Sequence, residues 1–369
     1  MIKTNNLKSM KQANMAAILS CLYYGGEASR LELSEKCGLS AASMTTLTRD
    51  LILKGVLVQT REIRKTTSGR REMLLDIDYN NFFAVSVCIE SERTSISICT
   101  LKEILNTTVV LTSKIKKDVN ALIELIKQQI DVSGCKIDCI GLGIAGKIDC
   151  ESGEVIDSYG VYEDNFDLKS RLHNYFNVPI YIANNVHTQA DSLIKGENDN
   201  FLFVKNSPGI GSAIVYEGNV VQGRNFFGLG MGHAIVNSSG EVCRCGRKGC
   251  LETYLNETVV VENYISKTGK TITFSELVAG YKKNHIVTIL MQMPMKYLAY
   301  AIANVSTTVD PKKVVVAGGF FTNIEFVEDL KLMLDEFGCD IDLEYITESP
   351  KLKIMSGGKY ALKKLLFEV

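Results

Sequence analysis

No uninterrupted apolar run in these 369 residues approaches about 18 positions, so no segment is expected to span a membrane. A basic-plus-apolar leader is also missing: Met1 is followed by the polar stretch Lys3-Thr4-Asn5-Asn6, and a cytoplasmic protein is expected. Overall charge is nearly absent, with a formal net value of −1. Extensive disorder is excluded by an apolar content of 46 %. Cysteine is not scarce, but the count of eleven is odd, and Cys88, Cys99, Cys135 and Cys139 sit inside apolar runs. Reduced thiols are therefore expected rather than a secreted disulfide scaffold. The length exceeds one average core, which favours two or three domains.

The small net charge hides an asymmetry. Residues 1–75 hold 12 Lys and Arg against 6 Asp and Glu, a balance of +6, and the remainder carries −7. A basic head on an acidic body suggests that only the head meets a polyanion. Within that head, Lys8–Tyr24 has helical apolar spacing and ends at Gly25-Gly26. Ser29 and Glu32 form a capping-box pattern for a short second helix, Arg30–Cys37. Gly38-Leu39-Ser40 then reads as a tight turn into a third helix, Ala41–Lys54. This helix would bury Met44, Leu47 and Leu51.

Helix, glycine turn, helix is the helix-turn-helix pattern, and two short strands around Val56–Gln59 and Met73–Ile77 would add a wing. Small and hydroxylated residues opening the third helix can approach base edges in a major groove. The candidates are Ser40, Ala42, Ser43, Thr45, Thr46 and Arg49. From the wing loop come Arg64, Lys65, Arg70 and Arg71, since arginine is favoured in a narrow minor groove. Double-stranded operator DNA is the expected partner of this winged helix-turn-helix, placed at residues 1–78.

A second signal lies near the middle of the chain. His233, Cys243, Cys245 and Cys250 fall within eighteen positions, with Gly246 and Gly249 between the thiols. Such a set suits tetrahedral Zn²⁺, and four protein ligands leave no position for an activated water. A structural zinc is expected, fixing the loop that leads into a following helix, Glu252–Ile265, rather than performing hydrolysis.

From Asn80 onward strand and helix patterns alternate, and Lys313-Val-Val-Val-Ala-Gly318-Gly319 reads as a buried strand running into a glycine turn. Together, Gly232-His233, the run ending Cys250-Leu251-Glu252, Asn184-Asn185, Gly209-Ile210-Gly211 and Gly318-Gly319 make the chain similar to the ROK family of repressors, open reading frames and sugar kinases. With a winged head in front, it resembles the repressor branch, of which xylose repressors are an example. The resemblance implies an α/β, two-lobed, actin-like ATPase fold over residues 79–369. Lobe 1 would span about 79–183 plus the C-terminal helix. Lobe 2, about 184–350, would carry the zinc loop.

The resemblance also identifies what is missing. Kinases of the family have a glycine-rich phosphate hairpin, whereas the equivalent stretch here, Cys88–Thr94, contains no glycine and two carboxylates. Their catalytic aspartate is matched by Asn185, and an amide has no useful basicity. A glutamate that binds sugar in the family is matched by Gly230, and the usual Pro-Asn loop reads Tyr159-Gly160. Asn184, Asn185, His233 and Glu252 remain as candidate contacts for a sugar or sugar-phosphate effector.

The expected function is transcriptional regulation, as a repressor, of genes for sugar metabolism or uptake by a homodimer or tetramer with no catalytic activity. An ATP-dependent sugar kinase with an accessory DNA-binding domain is the alternative. A third reading is a regulator whose head docks a partner protein.

Overall fold

Met15, Ile18, Leu19 and Leu22 recur at helical spacing, and all four are buried on one side of helix α1 (Leu7–Gly25). The computed structural model describes residues 7–64, 71–223, 230–347 and 349–368. A two-residue strand, β1 (Ala28–Ser29), leads into α2 (Arg30–Cys37), where Ser29 and Glu32 form the reciprocal capping box read from sequence. Gly38, at φ 64°, makes the left-handed turn that a Cβ would disfavour. Ser40 then accepts the Ser43 N–H and starts α3 (Ala41–Leu53). Strands β2 (Leu57–Arg64) and β3 (Arg71–Ile77) form an antiparallel hairpin, and β1 pairs with the outer side of β3. The hairpin strands are longer than the sequence indicated.

The first large sheet begins with β4 (Ala84–Ile89), β5 (Arg93–Cys99) and β6 (Ile104–Leu111). Strand β6 had no counterpart in the sequence reading. Its Leu105, Val109 and Leu111 point to solvent, and Asn106-Thr107-Thr108 interrupt the apolar pattern. Helix α4 (Val119–Ser133) packs on this sheet through Leu122, Ile123 and Ile126. Then come β7 (Cys139–Ile144), the small pair β8 (Lys147–Ile148) and β9 (Val155–Asp157), α5 (Leu168–His173) and β10 (Ile180–Asn184). The strand order is β10-β7-β4-β5-β6, parallel among the first three and antiparallel beyond.

Helix α6 (Asn185–Asp191) leads to the second sheet, which starts with β11 (Phe201–Asn206), β12 (Ile210–Tyr216) and β13 (Asn219–Val220). Two helices follow the cysteine run, α7 (Glu252–Leu255) and α8 (Glu257–Thr268). The sequence suggested one helix over Glu252–Ile265. Asn256 breaks it: its backbone is extended at φ −62°, ψ 134°, and its side chain caps α8 by accepting the Thr258 N–H.

Next are α9 (Phe274–Ala279), α10 (His285–Val309), β14 (Lys313–Ala317), α11 (Ile324–Glu336), β15 (Asp342–Ile346) and α12 (Ser349–Phe367). The second sheet runs β13-β12-β11-β14-β15. Among the described residues, α10 alone has the length and composition of a membrane span. It is a core helix: Val287, Met291, Met295, Leu298 and Ile302 are buried against α11 and the second sheet.

Helix α12 returns to the first sheet. Gly141 on β7 and Gly357 on α12 meet backbone to backbone, and a Cβ on Gly357 would lie 2.6 Å from the Gly141 carbonyl oxygen. This close seat positions α12 against two cores at once. Its Met355, Ala361, Leu362 and Leu366 share one apolar cluster with Ile18, Leu22 and Leu33 of the head and with Ala84, Cys99 and Cys139 of the sheet. The head is therefore packed onto lobe 1 rather than merely linked to it.

Candidate functional site

The carboxyl end of β4, the turn after β7, the end of β10 and the β11–β12 turn converge on one cavity between the lobes. Glycine turns at strand ends usually leave such a crevice. Asn184, Asn185, His233 and Glu252, the four candidate effector contacts, all line it.

Their side chains are not equally available. The Asn184 oxygen accepts the Val186 and His187 N–H groups at 2.8 and 3.3 Å, capping α6, and its amide nitrogen donates to the Gly146 carbonyl at 2.6 Å. Glu252 accepts the Ile210 N–H at 2.7 Å on one oxygen and the Asn256 amide at 2.9 Å on the other. Both residues shape the cavity's wall through bonds within the chain. Asn185 is buried at the cavity, and its side-chain amide has no hydrogen-bond partner among the described residues.

At the hairpin between β4 and β5, Glu90 is buried. Its carboxylate accepts from the ammonium groups of Lys205, on β11, and Lys353, on α12. Burial opposes ionisation of Glu90, but the two lysines outweigh it and hold its pKa below the ordinary carboxylate range. Lys205 is only 3 % exposed, so its ammonium group meets this carboxylate rather than water. Glu257 nearby is pushed up to about 7, first by burial and then by the negative charge of Glu92. One buried carboxylate thus ties the end of β4 to β11 and α12.

The cysteine run closes into a compact loop. Val242 and Lys248 pair across it, as do Ile235 and Cys250, and the Gly249 N–H donates to the Glu241 carbonyl at 2.8 Å. Gly249 has φ 69°, and a Cβ there would lie 1.5 Å from the Asn237 carbonyl oxygen. One donor atom each from His233, Cys243, Cys245 and Cys250 lies within 4.8 Å of the others. The Cys243 sulfur is 3.6 Å from His233 Nδ1, and the Cys245 and Cys250 sulfurs are 3.6 Å apart. Ligands about 2.0–2.3 Å from a tetrahedral metal are separated by about this much. The four groups could hold a metal ion.

In the head, Ala42, Ser43, Thr45, Thr46 and Arg49 form the exposed face of α3, with Ser40 exposed at its N-cap. Thr45 and Thr46 donate back to the Ala41 and Ala42 carbonyls at 2.8 and 3.0 Å. Arg49 has no salt bridge among the described residues, while neighbouring Asp50 takes Lys11 at 2.6 Å. Arg71 pairs with Glu62 across the hairpin at 3.2 Å. The side chain of Arg64, with Lys65 and Arg70, lies outside the described residues.

Several residues escaped the sequence reading. Arg30 Nε donates to Thr48 at 2.9 Å and fixes α2 against α3. Lys205 carried a usable signal, a lysine ending the apolar run Phe201-Leu-Phe-Val204. Lys353 carried none, because one lysine among several on a C-terminal helix resembles its neighbours. Arg244 lines the cavity with its guanidinium 3.6 Å from the centre of the Tyr159 ring, across the mouth of the cleft.

A model described as the ROK family matches residues 86–341. The DNA-binding transcriptional dual regulator NagC of Escherichia coli is 26 % identical over 337 residues, 85 % of this chain and 82 % of its own. The xylose repressor of Caldicellulosiruptor bescii is 25 % identical, covering 89 % of this chain and 88 % of its own. Among solved structures, a ROK family transcriptional regulator described as a homologue of the E. coli MLC protein superposes with a TM-score of 0.83 at 23 % identity, covering 97 % of each chain. A ROK hexokinase from Thermus thermophilus reaches 0.66 at 21 % identity, covering 77 % of this chain and 99 % of its own. At these identities the structural likeness speaks for the fold, two α/β lobes of the actin-like ATPase type.

Proposed function

The chain belongs to the ROK family, and from that premise we propose that it is a DNA-binding transcriptional regulator, a repressor of genes for sugar metabolism or uptake, acting in the cytoplasm. The observation that carries this reading is the head itself. It is a helix-turn-helix with a β-hairpin wing, and α3 turns Ala42, Ser43, Thr45, Thr46 and Arg49 to solvent. The relatives it resembles, a transcriptional regulator and a xylose repressor, support it. Ser40 at the cap and the wing residues Arg64, Lys65, Arg70 and Arg71 complete the DNA surface. Arg71 would exchange Glu62 for phosphate.

In this reading the lobes are an effector domain and catalyse nothing. Glu90 and its two lysines fill the phosphate position, and Asn185 supplies no base. Asn185 and His233 face the effector directly, while Asn184 and Glu252 hold the walls. His233, Cys243, Cys245 and Cys250 hold a structural zinc that fixes the loop between cleft and α7.

Helix α12 is the route from cleft to head. Lys353 sits in the Glu90 cluster, and Phe367, about 20 Å along the helix, packs edge-on against Tyr23 of α1. An effector preferring one lobe arrangement would shift α12 and with it the head, provided the two states bind it unequally. Two heads reach two half-sites, so a dimer or tetramer is the working form. Ile286, Ile289 and Met293, exposed along one face of α10, offer an apolar surface for a second copy.

The test uses a duplex enriched from a random-sequence pool by the full chain. Arg49→Ala is expected to weaken its binding by roughly tenfold to a hundredfold, and wild-type affinity should fall steeply with salt. Enrichment of no duplex, or an affinity indifferent to both salt and Arg49, would remove the basis for the proposal.

A further inference from the structure

We infer that the cleft takes an anionic polyol, a sugar-sized ligand carrying a carboxylate or phosphate, and that Arg244 selects it; this rests on reading the cleft as an effector site. The argument begins with acceptors. A neutral sugar presents hydroxyl hydrogens, each needing an acceptor when the lobes enclose it, and an unpaired one costs about 1–3 kcal/mol. Of the side-chain acceptors lining the cleft, Asn185 keeps an amide oxygen unpartnered among the described residues, while three others are already engaged. Glu90 is taken by Lys205 and Lys353, Glu252 accepts one N–H on each oxygen, and Asn184 caps α6. Gly230 lines the cavity with no side chain.

Positive charge is the opposite case. Arg244 lines the same cavity and has no carboxylate partner among the described residues. Its guanidinium lies over the Tyr159 ring and hydrogen-bonds with that residue's side chain, which orients the group; with five N–H donors it keeps others for an anion. Both stacking partners are set by their own backbones. Arg244 sits between Cys243 and Cys245 in the closed loop, and Tyr159 is held at φ 57° with its N–H donating to Asp157 at 2.8 Å. Since Tyr159 follows β9 of the first lobe and Arg244 belongs to the second, an anion at this point would engage the cleft where its two sides meet. The ligand brings the acceptors that the cleft has used internally.

Calorimetric titration of the full chain with glucose, glucuronate, galacturonate and glucose 6-phosphate tests this. At least one of the three anions should bind at least tenfold more tightly than glucose. Arg244→Gln should lose tenfold or more of that affinity, and Arg244→Lys should recover part of it, because it restores charge without the bidentate fork. Thermal melts and metal content of each variant separate ligand loss from misfolding. Glucose binding as tightly as the anions, no binding by any anion, or anion affinity unchanged in a folded Arg244→Gln protein would each overturn the inference. Duplex binding by the wild type, measured on the same preparation, reads the regulatory premise separately: retained DNA binding with a neutral-sugar preference sinks only the ligand class.

Discussion

Glu90→Gln is expected to destabilise the protein by about 3–5 kcal/mol, the cost of breaking a buried ion pair by removing one partner. Glu90 is 6 % exposed and holds two ammonium groups from different parts of the chain. Glutamine keeps the shape and loses the charge, so Lys205 is left charged at 3 % exposure with only an amide to face. Lys353, about a third exposed, can turn to water, so most of the cost falls on Lys205. Urea denaturation at pH 7 measures the loss. The double variant Glu90→Gln/Lys205→Met should regain much of it, because an apolar side chain of similar length removes the stranded charge. A single-variant loss below about 1 kcal/mol would mean that the cluster is solvated and does not tie the lobes. The same variant should alter the coupling between cleft and head, since Lys353 anchors one end of α12.

The second large effect concerns the metal loop. Purified protein is expected to carry one zinc per chain, and Cys245→Ser or strong chelation should remove it. Structural zinc contributes about 10–16 kcal/mol in small zinc-dependent folds, and part of that would be lost here as local order from Gly240 to Cys250. That loop is followed at once by Glu252, whose carboxylate takes the Ile210 N–H at 2.7 Å. Its loss should therefore deform the β11–β12 turn and lower the melting temperature of lobe 2. The head should persist longer, because Ile18, Leu22 and Leu33 pack with α12 and the first sheet and not with the metal loop. Metal analysis with thermal melts followed in both parts reads the outcome. A metal-free wild type, or a Cys245→Ser variant with the same melting curve, would contradict the assignment.

Features carried by local chemistry were legible in the sequence. Ser29 with Glu32, Gly38 and Ser40 set the helix boundaries of the head through caps and a left-handed turn, and the structure places those boundaries where the residues indicate. The four metal-site residues were legible because three of them are close in sequence. What stayed hidden required contacts between distant segments. Glu90, visible in the sequence only as one of two carboxylates in a glycine-free hairpin, accepts from lysines 115 and 263 positions away. Asn184, read as a sugar contact, lines the cleft and is also the cap at the junction of β10 and α6, a role that depends on where the helix begins. The break at Asn256 was missed because Glu252–Ile265 keeps an apolar pattern through it, and the side chain's choice between helix and cap is settled by Glu252 across the turn.

The claim joining these parts is that a family cleft built for phosphoryl transfer has here become a non-catalytic control domain for a DNA-binding head. Sugar-dependent ADP release by the purified full chain, with saturating ATP and magnesium and a panel of neutral and anionic hexoses, tests it most directly. The account predicts no release above the sugar-free blank for any of them. Sustained turnover with even one hexose, abolished by substitution at Asn185, would contradict it.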